Sequence, residues 1–212
     1  MEKDSKRKPG EANQKRNRQP TSARRAQIIE IAARVFQEKG YKAASLEDVA
    51  VELNISRPAI YHHVQSKEEI LCEIHEQALT FLSNDLLRIA KEELTPEEKL
   101  HRIIIHLIRT AIEKREKVTI FFQESAQLPD KYSRRVKRKR AEYEKVIMDV
   151  IQEGIDSGVF RNVDAMMGTY AILGMCNWVY QWHNPNEHRS WSEIGTYFTD
   201  LICNGYLAKQ GS

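Results

Sequence analysis

The chain has 212 residues, of which 41% are hydrophobic and 30% charged. This balance is typical of a globular protein and gives enough chain to bury a core in one domain or two small ones. The net charge of +3 is uneven, because residues 1–25 carry +6 and the remaining 187 residues carry −3. A basic, polar arm in front of a mildly acidic body indicates either a nucleic-acid partner or a disordered solubilising tail.

Three other features of the composition argue against whole classes of protein. The longest uncharged apolar stretch, residues 165–182, is interrupted by glycines and amides, so it predicts a buried helix or an interface rather than a membrane span. The cysteines are scattered at Cys72, Cys176 and Cys203, which argues against a disulfide framework and a cysteine-based zinc site. The charged N-terminus lacks the apolar stretch of a secretory signal. We therefore expect a cytoplasmic protein without a membrane partner.

The first third of the chain predicts short, well-capped helices behind a polar arm. Apolar spacing and N-cap residues predict three helices, which begin at Thr21, after Ser45 and after Ser56. Only two or three residues connect the second and third of these helices, as in a helix-turn-helix. Ser66 then caps a fourth helix, and Glu69 is placed to complete its capping box.

Longer helices follow in the rest of the chain. Their predicted spans are about 67–91, from Thr95 onward, 118–128, from Pro129 to about Gly158, 164–182 and 192–208. With nine Gly and six Pro, the chain offers few turns for a sheet. We therefore expect an all-α protein of about nine helices, divided into a disordered basic arm (1–20), a helix-turn-helix domain (21–66) and a larger helical domain (67–212).

Four short motifs lie in order along this N-terminal part. They are Gly40-Tyr41, Ser45-xx-Asp48-Val49-Ala50, Ser56-xxx-Ile60-Tyr61 and Lys67-Glu68-xx-Leu71. Together they resemble the DNA-binding domain of the TetR/AcrR family of one-component bacterial transcription regulators. The resemblance implies a homodimer, with two heads on a pseudo-palindromic operator in double-stranded DNA and two ligand-binding bodies joined by a four-helix bundle. It also implies repression that a small-molecule effector relieves.

The third helix is the candidate recognition helix of this domain. Its apolar residues turn inward, so that Arg57, Pro58, Tyr61 and His62 project toward a major groove. Arg57 can pair with a guanine edge or bind a phosphate. We expect Tyr61 to donate to a phosphate, and His62 is either a contact or a solvated side chain.

Further DNA contacts are predicted at helix N-termini and at the start of the first helix. Helix N-termini favour anions, so Ser45, Ser56 and Lys67 are candidate phosphate contacts. Each also has a plain structural role, because the two serines cap their helices and Lys67 is a surface charge. Arg24 and Arg25 would add attraction to DNA of any sequence.

A basic run in the body has no obvious structural role. Residues 134–140 contain six basic side chains in seven positions, and two helical turns cannot point all six outward. Arg140 falls on the side that should face inward, with Lys139 beside it. A charge there needs a partner, which is either Glu144 or an anionic ligand. We therefore take Arg138, Lys139 and Arg140 as candidate ligands for phosphates.

An aromatic segment, from Asn177 to Pro185, places two tryptophans four residues apart on one face of a predicted helix. Its NWxYxW…P pattern resembles the ending seen in TetR-family regulators that sense acyl-CoA thioesters of lipid, steroid or aromatic catabolism. A core or a dimer interface would use the same residue types. The apolar part of such an effector would lie among side chains that include Phe121, Phe122, Tyr143, Met175, Trp178 and Trp182.

Two other interpretations remain open. A regulator of an efflux pump would sense a lipophilic drug or cation, for which Asp149 and Glu124 are the available acids. A ligand-free architectural DNA-binding protein would leave the large helical domain unexplained. Because the chain has no GxSxG, P-loop or GxGxxG pattern and no metal spacing of histidines, we expect no catalytic residues, no metal and no resident cofactor beside the suspected acyl-CoA effector.

Overall fold

The protein is helical throughout the part that the structure describes. The computed structural model describes residues 21–184, 186 and 189–206, and in this part it contains eleven α-helices and one turn of 3₁₀-helix over Ser125–Gln127. The α-helices are α1 (Thr21–Lys39), α2 (Leu46–Glu52), α3 (Arg57–Tyr61), α4 (Lys67–Ser83), α5 (Leu86–Lys91), α6 (Pro96–Glu113), α7 (Arg115–Gln123), α8 (Asp130–Asp156), α9 (Ala165–Asn177), α10 (Val179–Trp182) and α11 (Trp191–Tyr206).

The predicted all-α fold of nine helical segments is confirmed. Two of these segments are interrupted. The segment 67–91 breaks at Asn84 and Asp85 into α4 and α5, and the segment 164–182 breaks at Trp178 into α9 and α10. The predicted basic arm, residues 1–20, lies outside the described residues, as do Pro185 and residues 207–208. None of the described helices is long and apolar enough to cross a membrane.

The first three helices enclose a small core. Ile28 and Phe36 of α1 are almost fully buried, together with Val49 of α2 and Ile60 of α3. α1 ends at Gly40, whose φ of +78° is the left-handed conformation that glycine adopts without strain. These helices form the head of the protein.

A complete capping box begins α2. The Ser45 hydroxyl oxygen accepts from the Asp48 backbone N–H at 3.2 Å, and the Asp48 carboxylate accepts from the Ser45 N–H at 2.8 Å. Lys39 also donates to this carboxylate, at 2.6 Å. The hydrogen bonds from Lys39 and Ser45 lower the pKa of Asp48 to about 2.

The capping box predicted at the start of α4 is only half formed. Ser66 accepts from the Glu69 backbone N–H at 3.2 Å, as predicted. The Glu69 carboxylate, however, accepts from the Gln65 N–H at 2.6 Å and pairs with Arg25 at 2.8 Å. The return bond to the Ser66 N–H is absent, and the carboxylate instead joins the residue before the cap to Arg25 of α1.

α6 is the central helix of the body, and α8, α9 and α11 pack around it. It begins near the predicted start at Thr95, where Thr95 and Glu98 form a complete capping box. Its inward side chains are fully buried; they are Leu100, Ile103, Ile104, Leu107 and Ile108. This core holds α8 and α9 in place, and the cavities described below lie along these two helices.

Two helices join the head to the body. α4 packs against α1, α7 and α8, while α7 packs against both α1 and α4. Lys117 of α7 forms an ion pair with Glu30 of α1. A rearrangement in the body can therefore reach the head through α7 as well as through α4.

Candidate functional site

α3 buries one face and exposes the other. Ile60 and Val64 are buried, and the exposed residues are the four predicted to face a major groove, Arg57, Pro58, Tyr61 and His62. The Arg57 side chain is 69% exposed, and its Nε lies 2.5 Å from a carboxylate oxygen of Glu47. This ion pair orients the guanidinium while leaving it accessible. The helix ends at Tyr61, and Val64, three residues further on, is buried.

Arg24 and Arg25, at the start of α1, differ in how firmly they are held. Arg25 donates to the carboxylates of Glu69 and Glu73. Burial alone would lower the pKa of Arg25, but its bonds to these two carboxylates outweigh burial and raise the pKa. Arg24 donates to Gln27 of its own helix at 3.1 Å. A DNA phosphate would therefore compete with two carboxylates for Arg25 and with one amide oxygen for Arg24.

Lys67 fastens the loop before α2 onto α4. Its Nζ donates to the Ala44 carbonyl at 2.6 Å and lies 4.3 Å from the centre of the Tyr41 ring. Burial lowers the pKa of Lys67. Ser45 and Ser56 cap their helices through their side-chain oxygens. The structure shows these capping and packing roles, and phosphate contacts by the three residues stay predictions.

A cavity of about 520 Å³ lies between α7, α8, α9 and α10. We call it the aromatic cavity, and its walls include Phe122, Leu173, Gly174, Asn177, Trp178 and Tyr180. Phe122 and Tyr180 stack with their ring centres 5.8 Å apart, and Trp178 meets Tyr180 edge-on at 6.2 Å. A Cβ on Gly174 would meet no atom within 4 Å, so α9 leaves room at this point. These walls suit a large apolar group.

Arg140 belongs both to the aromatic cavity and to a second cavity of about 350 Å³. The second cavity lies between α7, the 3₁₀ turn and α8, and its polar walls include Ser125, Asp130, Ser133 and Lys137. We call it the basic cavity. The Arg140 Nε donates to Glu144 at 2.8 Å, so the carboxylate partner predicted for this charge is present. A largely apolar chamber therefore meets, at one guanidinium, a polar chamber whose charged walls are Lys137, Arg140 and Asp130.

The structure brings together part of the predicted effector site. Phe122, Arg140 and Trp178 line the aromatic cavity, and Phe121 lines the basic cavity, its ring 4.9 Å from that of Phe122. Met175 is half-buried and packs against the core. The structure places these side chains close together in one region of the body, and their contact with an effector stays a prediction.

The other two predicted phosphate ligands face away from these cavities. Arg138 is 75% exposed, with its Nε 3.8 Å from Glu142. Lys139 and Tyr143 border a separate cavity of about 170 Å³ against α4 and α5. The rotation of α8 instead directs Lys137 to the side of Arg140. Its spacing from Ser133 and Arg140, four and three residues, is the helical signal that would have identified it.

The two tryptophans do not share one helical face, contrary to the prediction. The backbone changes course at Trp178, which ends α9 and precedes α10. Trp178 contacts Tyr180, whereas the Trp182 ring lies 6.4 Å from that of Phe198 on α11. After the break, Tyr180 lines the aromatic cavity. The sequence motif contains Tyr180, but the predicted effector site did not include it.

A stripe of exposed apolar side chains runs along the outside of the body. Its members on α9 and α11 are Met166, Met167, Tyr170, Trp178, Tyr197 and Leu201. Exposed apolar patches of this kind mark contact surfaces. Within the described ranges, no group of three His, Cys, Asp or Glu side chains could hold a metal ion.

Comparisons with known proteins cover both parts of the chain. Residues 28–74 match the family model for bacterial regulatory proteins of the tetR family, and residues 93–206 match that for the tetracyclin repressor-like C-terminal domain. The HTH-type transcriptional repressor KstR2 of Mycolicibacterium smegmatis is 28% identical over 198 residues, which cover 91% of this chain and 95% of that protein.

Solved structures show the same architecture. The TetR family transcriptional regulator PfmR from Thermus thermophilus aligns with a TM-score of 0.79 and 33% identity, over 84% of this chain and 97% of that one. AibR in complex with isovaleryl coenzyme A and operator DNA aligns with a TM-score of 0.76 and 24% identity, over 84% and 97% of the two chains. Since both halves match their family models, the chain belongs to the TetR family of bacterial transcriptional regulators.

Proposed function

We propose that the effector that releases this TetR-type repressor from its operator is an acyl-CoA thioester. In this proposal residues 21–66 bind DNA, and residues 67–212 bind the effector and form the homodimer. The exposed face of α3 supplies Arg57 for a base edge or a phosphate and Tyr61 for a phosphate.

The observation that carries the proposal is the position of Arg140 between two chemically different cavities. The aromatic cavity offers apolar walls for an acyl group. The basic cavity offers Lys137 and Arg140, one helical turn apart, for the phosphates of coenzyme A. A molecule that joins a bulky apolar group to several negative charges fits both at once.

The names of similar proteins point the same way. The solved AibR complex contains isovaleryl coenzyme A and operator DNA, so a protein with this fold binds an acyl-CoA. KstR2 of Mycobacterium tuberculosis is described as a ketosteroid transcriptional regulator, and its structure aligns with a TM-score of 0.82 at 23% identity. These similarities support an acyl-CoA thioester as the class of ligand. Experiment must identify the acyl group.

An efflux-type regulator that senses a lipophilic cation is the weaker candidate. A buried cation needs a carboxylate beside the aromatic rings. In the described part of the chain, the residues that line the aromatic cavity include no Asp or Glu but do include Arg140. This charge would repel a cationic ligand.

The exposed apolar stripe of α9 and α11 supplies the dimer contact in this proposal. Tyr170 and Trp178 belong both to the stripe and to the aromatic cavity. A second copy packed on the stripe would therefore cover the open side of that cavity. Dimerisation and effector binding would then support each other.

A release titration tests the proposal. The full-length protein is bound to a duplex selected from random-sequence DNA, and dodecanoyl-CoA, free dodecanoic acid and CoA are added separately. We expect release by the thioester at concentrations at which the acid and CoA have no effect. Arg140→Ala and Lys137→Ala should each weaken the response about tenfold or more, because a charge-assisted bond to a phosphate is lost.

Arg138→Ala is the matched control for this titration. It removes the same charge from the same helix but outside both cavities, so its response should equal that of the unmodified protein. If Arg138→Ala weakens release as much as Arg140→Ala, only the overall charge of α8 matters and the cavity assignment is wrong. If none of the three ligands acts, the acyl-CoA proposal is wrong.

A further inference from the structure

Tyr143 of α8 lines a small cavity beside the effector region. Its side chain is 4% exposed and borders the cavity of about 170 Å³ against α4 and α5. We call this space the third cavity, and its walls include Leu79 and Leu86, which are apolar and almost fully buried. The third cavity therefore has the wall chemistry that suits a hydrocarbon chain.

The hydroxyl end of the same side chain reaches the wall of the aromatic cavity. Burial raises the pKa of Tyr143, whereas its side-chain hydrogen bond with Asn177 and the charge of Arg140 lower the pKa by smaller amounts. Asn177 and Arg140 both line the aromatic cavity. The ring of Tyr143 therefore stands between two cavities, with the third cavity beside it and the wall of the aromatic cavity at its hydroxyl.

Packing holds this ring in place. α8 packs against α4 and α5 on one side and against α9 on the other. A side chain that is packed from both sides and hydrogen-bonded at its tip keeps one rotamer, since a second rotamer needs empty space. An acyl chain in the aromatic cavity would meet this ring as a fixed wall.

We propose that Tyr143 is a partition that limits the length of the acyl group, so that the effector ends at the ring and does not enter the third cavity. This inference rests on the proposed acyl-CoA function. With the phosphates at Lys137 and Arg140, the acyl group extends from the basic cavity into the aromatic cavity. A chain longer than the aromatic cavity must displace the ring or return to water, and neither adds affinity.

A series of straight saturated thioesters, from butanoyl-CoA to hexadecanoyl-CoA in steps of two carbons, tests the partition. Isothermal titration calorimetry on the full-length protein measures each affinity. While the chain is gaining contact with apolar walls, each added methylene should tighten binding about fourfold. At the length that fills the aromatic cavity, the affinity should stop rising.

Tyr143→Val should move this limit to longer chains. The variant removes the ring and joins the two cavities, so the first two carbons beyond the original limit should tighten binding about tenfold. Affinity for chains shorter than the limit should change little. A merely structural role of Tyr143 would instead weaken all the thioesters equally and leave the limit where it was.

Tyr143→Phe is the matched control, because it keeps the ring and removes only the hydroxyl. The limit should stay at its original length in this variant. If Tyr143→Phe moves the limit as far as Tyr143→Val does, the ring is not the partition.

Ser83→Leu tests the third cavity from its opposite wall, because Ser83 of α4 lines that cavity. Combined with Tyr143→Val, it should refill the cavity and return the limit to the original length. Alone, it should leave the whole series unchanged. If it alone weakens the longest thioesters, their chains already occupy the third cavity and the partition is wrong, a result that does not depend on whether Tyr143→Val folds.

The outcomes separate this partition from the function on which it rests. If affinity rises along the whole series without a limit, or if the limit is the same in Tyr143→Val, the acyl-CoA function stands and the partition is wrong. If none of the thioesters binds, the proposed function fails and the partition fails with it.

Discussion

In the core, burial can give a side chain a pKa that its residue type alone does not predict. His75 of α4 is fully buried, with its Nδ1 2.9 Å from the Leu71 carbonyl oxygen and its ring 5.5 Å from that of Phe121. Burial lowers the pKa of His75 below the ordinary value of 6.5. The imidazole is therefore neutral where α4 meets α7.

We expect this histidine to make folding stability depend on pH. Because its pKa is lower in the folded than in the unfolded chain, its stabilising effect is complete above about pH 6.5 and is lost as the pH falls below that value. Urea unfolding between pH 7.5 and pH 5 measures the loss. His75→Leu should flatten the dependence in this window, and equal slopes for the two proteins would contradict the assignment.

At the scale of elements, the end of α8 depends on one glycine. Gly154 lies against the ring of Phe160, which folds back beneath the helix, and the Phe160 N–H donates to the Gly154 carbonyl at 2.9 Å. A Cβ at position 154 would overlap this ring. The close approach of the returning chain therefore requires glycine inside a helix that would otherwise favour alanine.

We expect Gly154→Ala to destabilise the protein. Relative to glycine, alanine in a helix interior stabilises the folded chain by up to about 1 kcal/mol, whereas overpacking a core costs about 1–3 kcal/mol. The clash therefore outweighs the gain in helix propensity at this position. Urea denaturation should show a net loss of about 1–2 kcal/mol. In a Phe160→Leu background the same substitution should cost less, and an unchanged cost would show that the ring is not the cause.

At the scale of the whole molecule, α7 links the effector region to the head. Phe122 lines the aromatic cavity, while Lys117 on the same helix pairs with Glu30 of α1. The Lys117 side chain is 8% exposed. A shift of α7 on effector binding would therefore move a nearly buried cation that holds the first helix of the head.

We expect Lys117→Met to weaken the coupling between effector and DNA. The ratio of effector affinities with and without DNA should fall about fivefold or more, whereas affinity for the effector alone should stay unchanged. Fluorescence anisotropy with labelled duplex, together with calorimetry, gives both quantities. Coupling that persists in full would show that α4 alone transmits the signal.

Lys99→Met provides the matched control for this coupling. Lys99 is equally buried and pairs with Glu153 at 2.8 Å, but both residues lie within the body. This variant should retain the full coupling. An equal loss in the two variants would indicate general destabilisation rather than a path through α7.

The sequence by itself determined the features that depend on residues close together in the chain. The capping boxes of Ser45 with Asp48 and of Thr95 with Glu98 join residues three apart, so their formation follows from local geometry. The apolar spacing of α6 determined which face it buries, and the helix-turn-helix motifs identified the family. Most helix positions follow from the same short-range rules.

Only the tertiary structure decided which groups meet across helices. The Glu69 carboxylate accepts from Arg25, 44 residues away, as well as from the Gln65 N–H, rather than closing the capping box at Ser66. Lys137 rather than Arg138 joins Arg140, since α4, α6 and α9, which pack on α8, fix its rotation. The side chains of Tyr143 and Asn177 are adjacent only through packing of α8 on α9. Such contacts depend on how each helix is rotated and on where helices break, as at Trp178. Residue spacing within one helix determines neither of these.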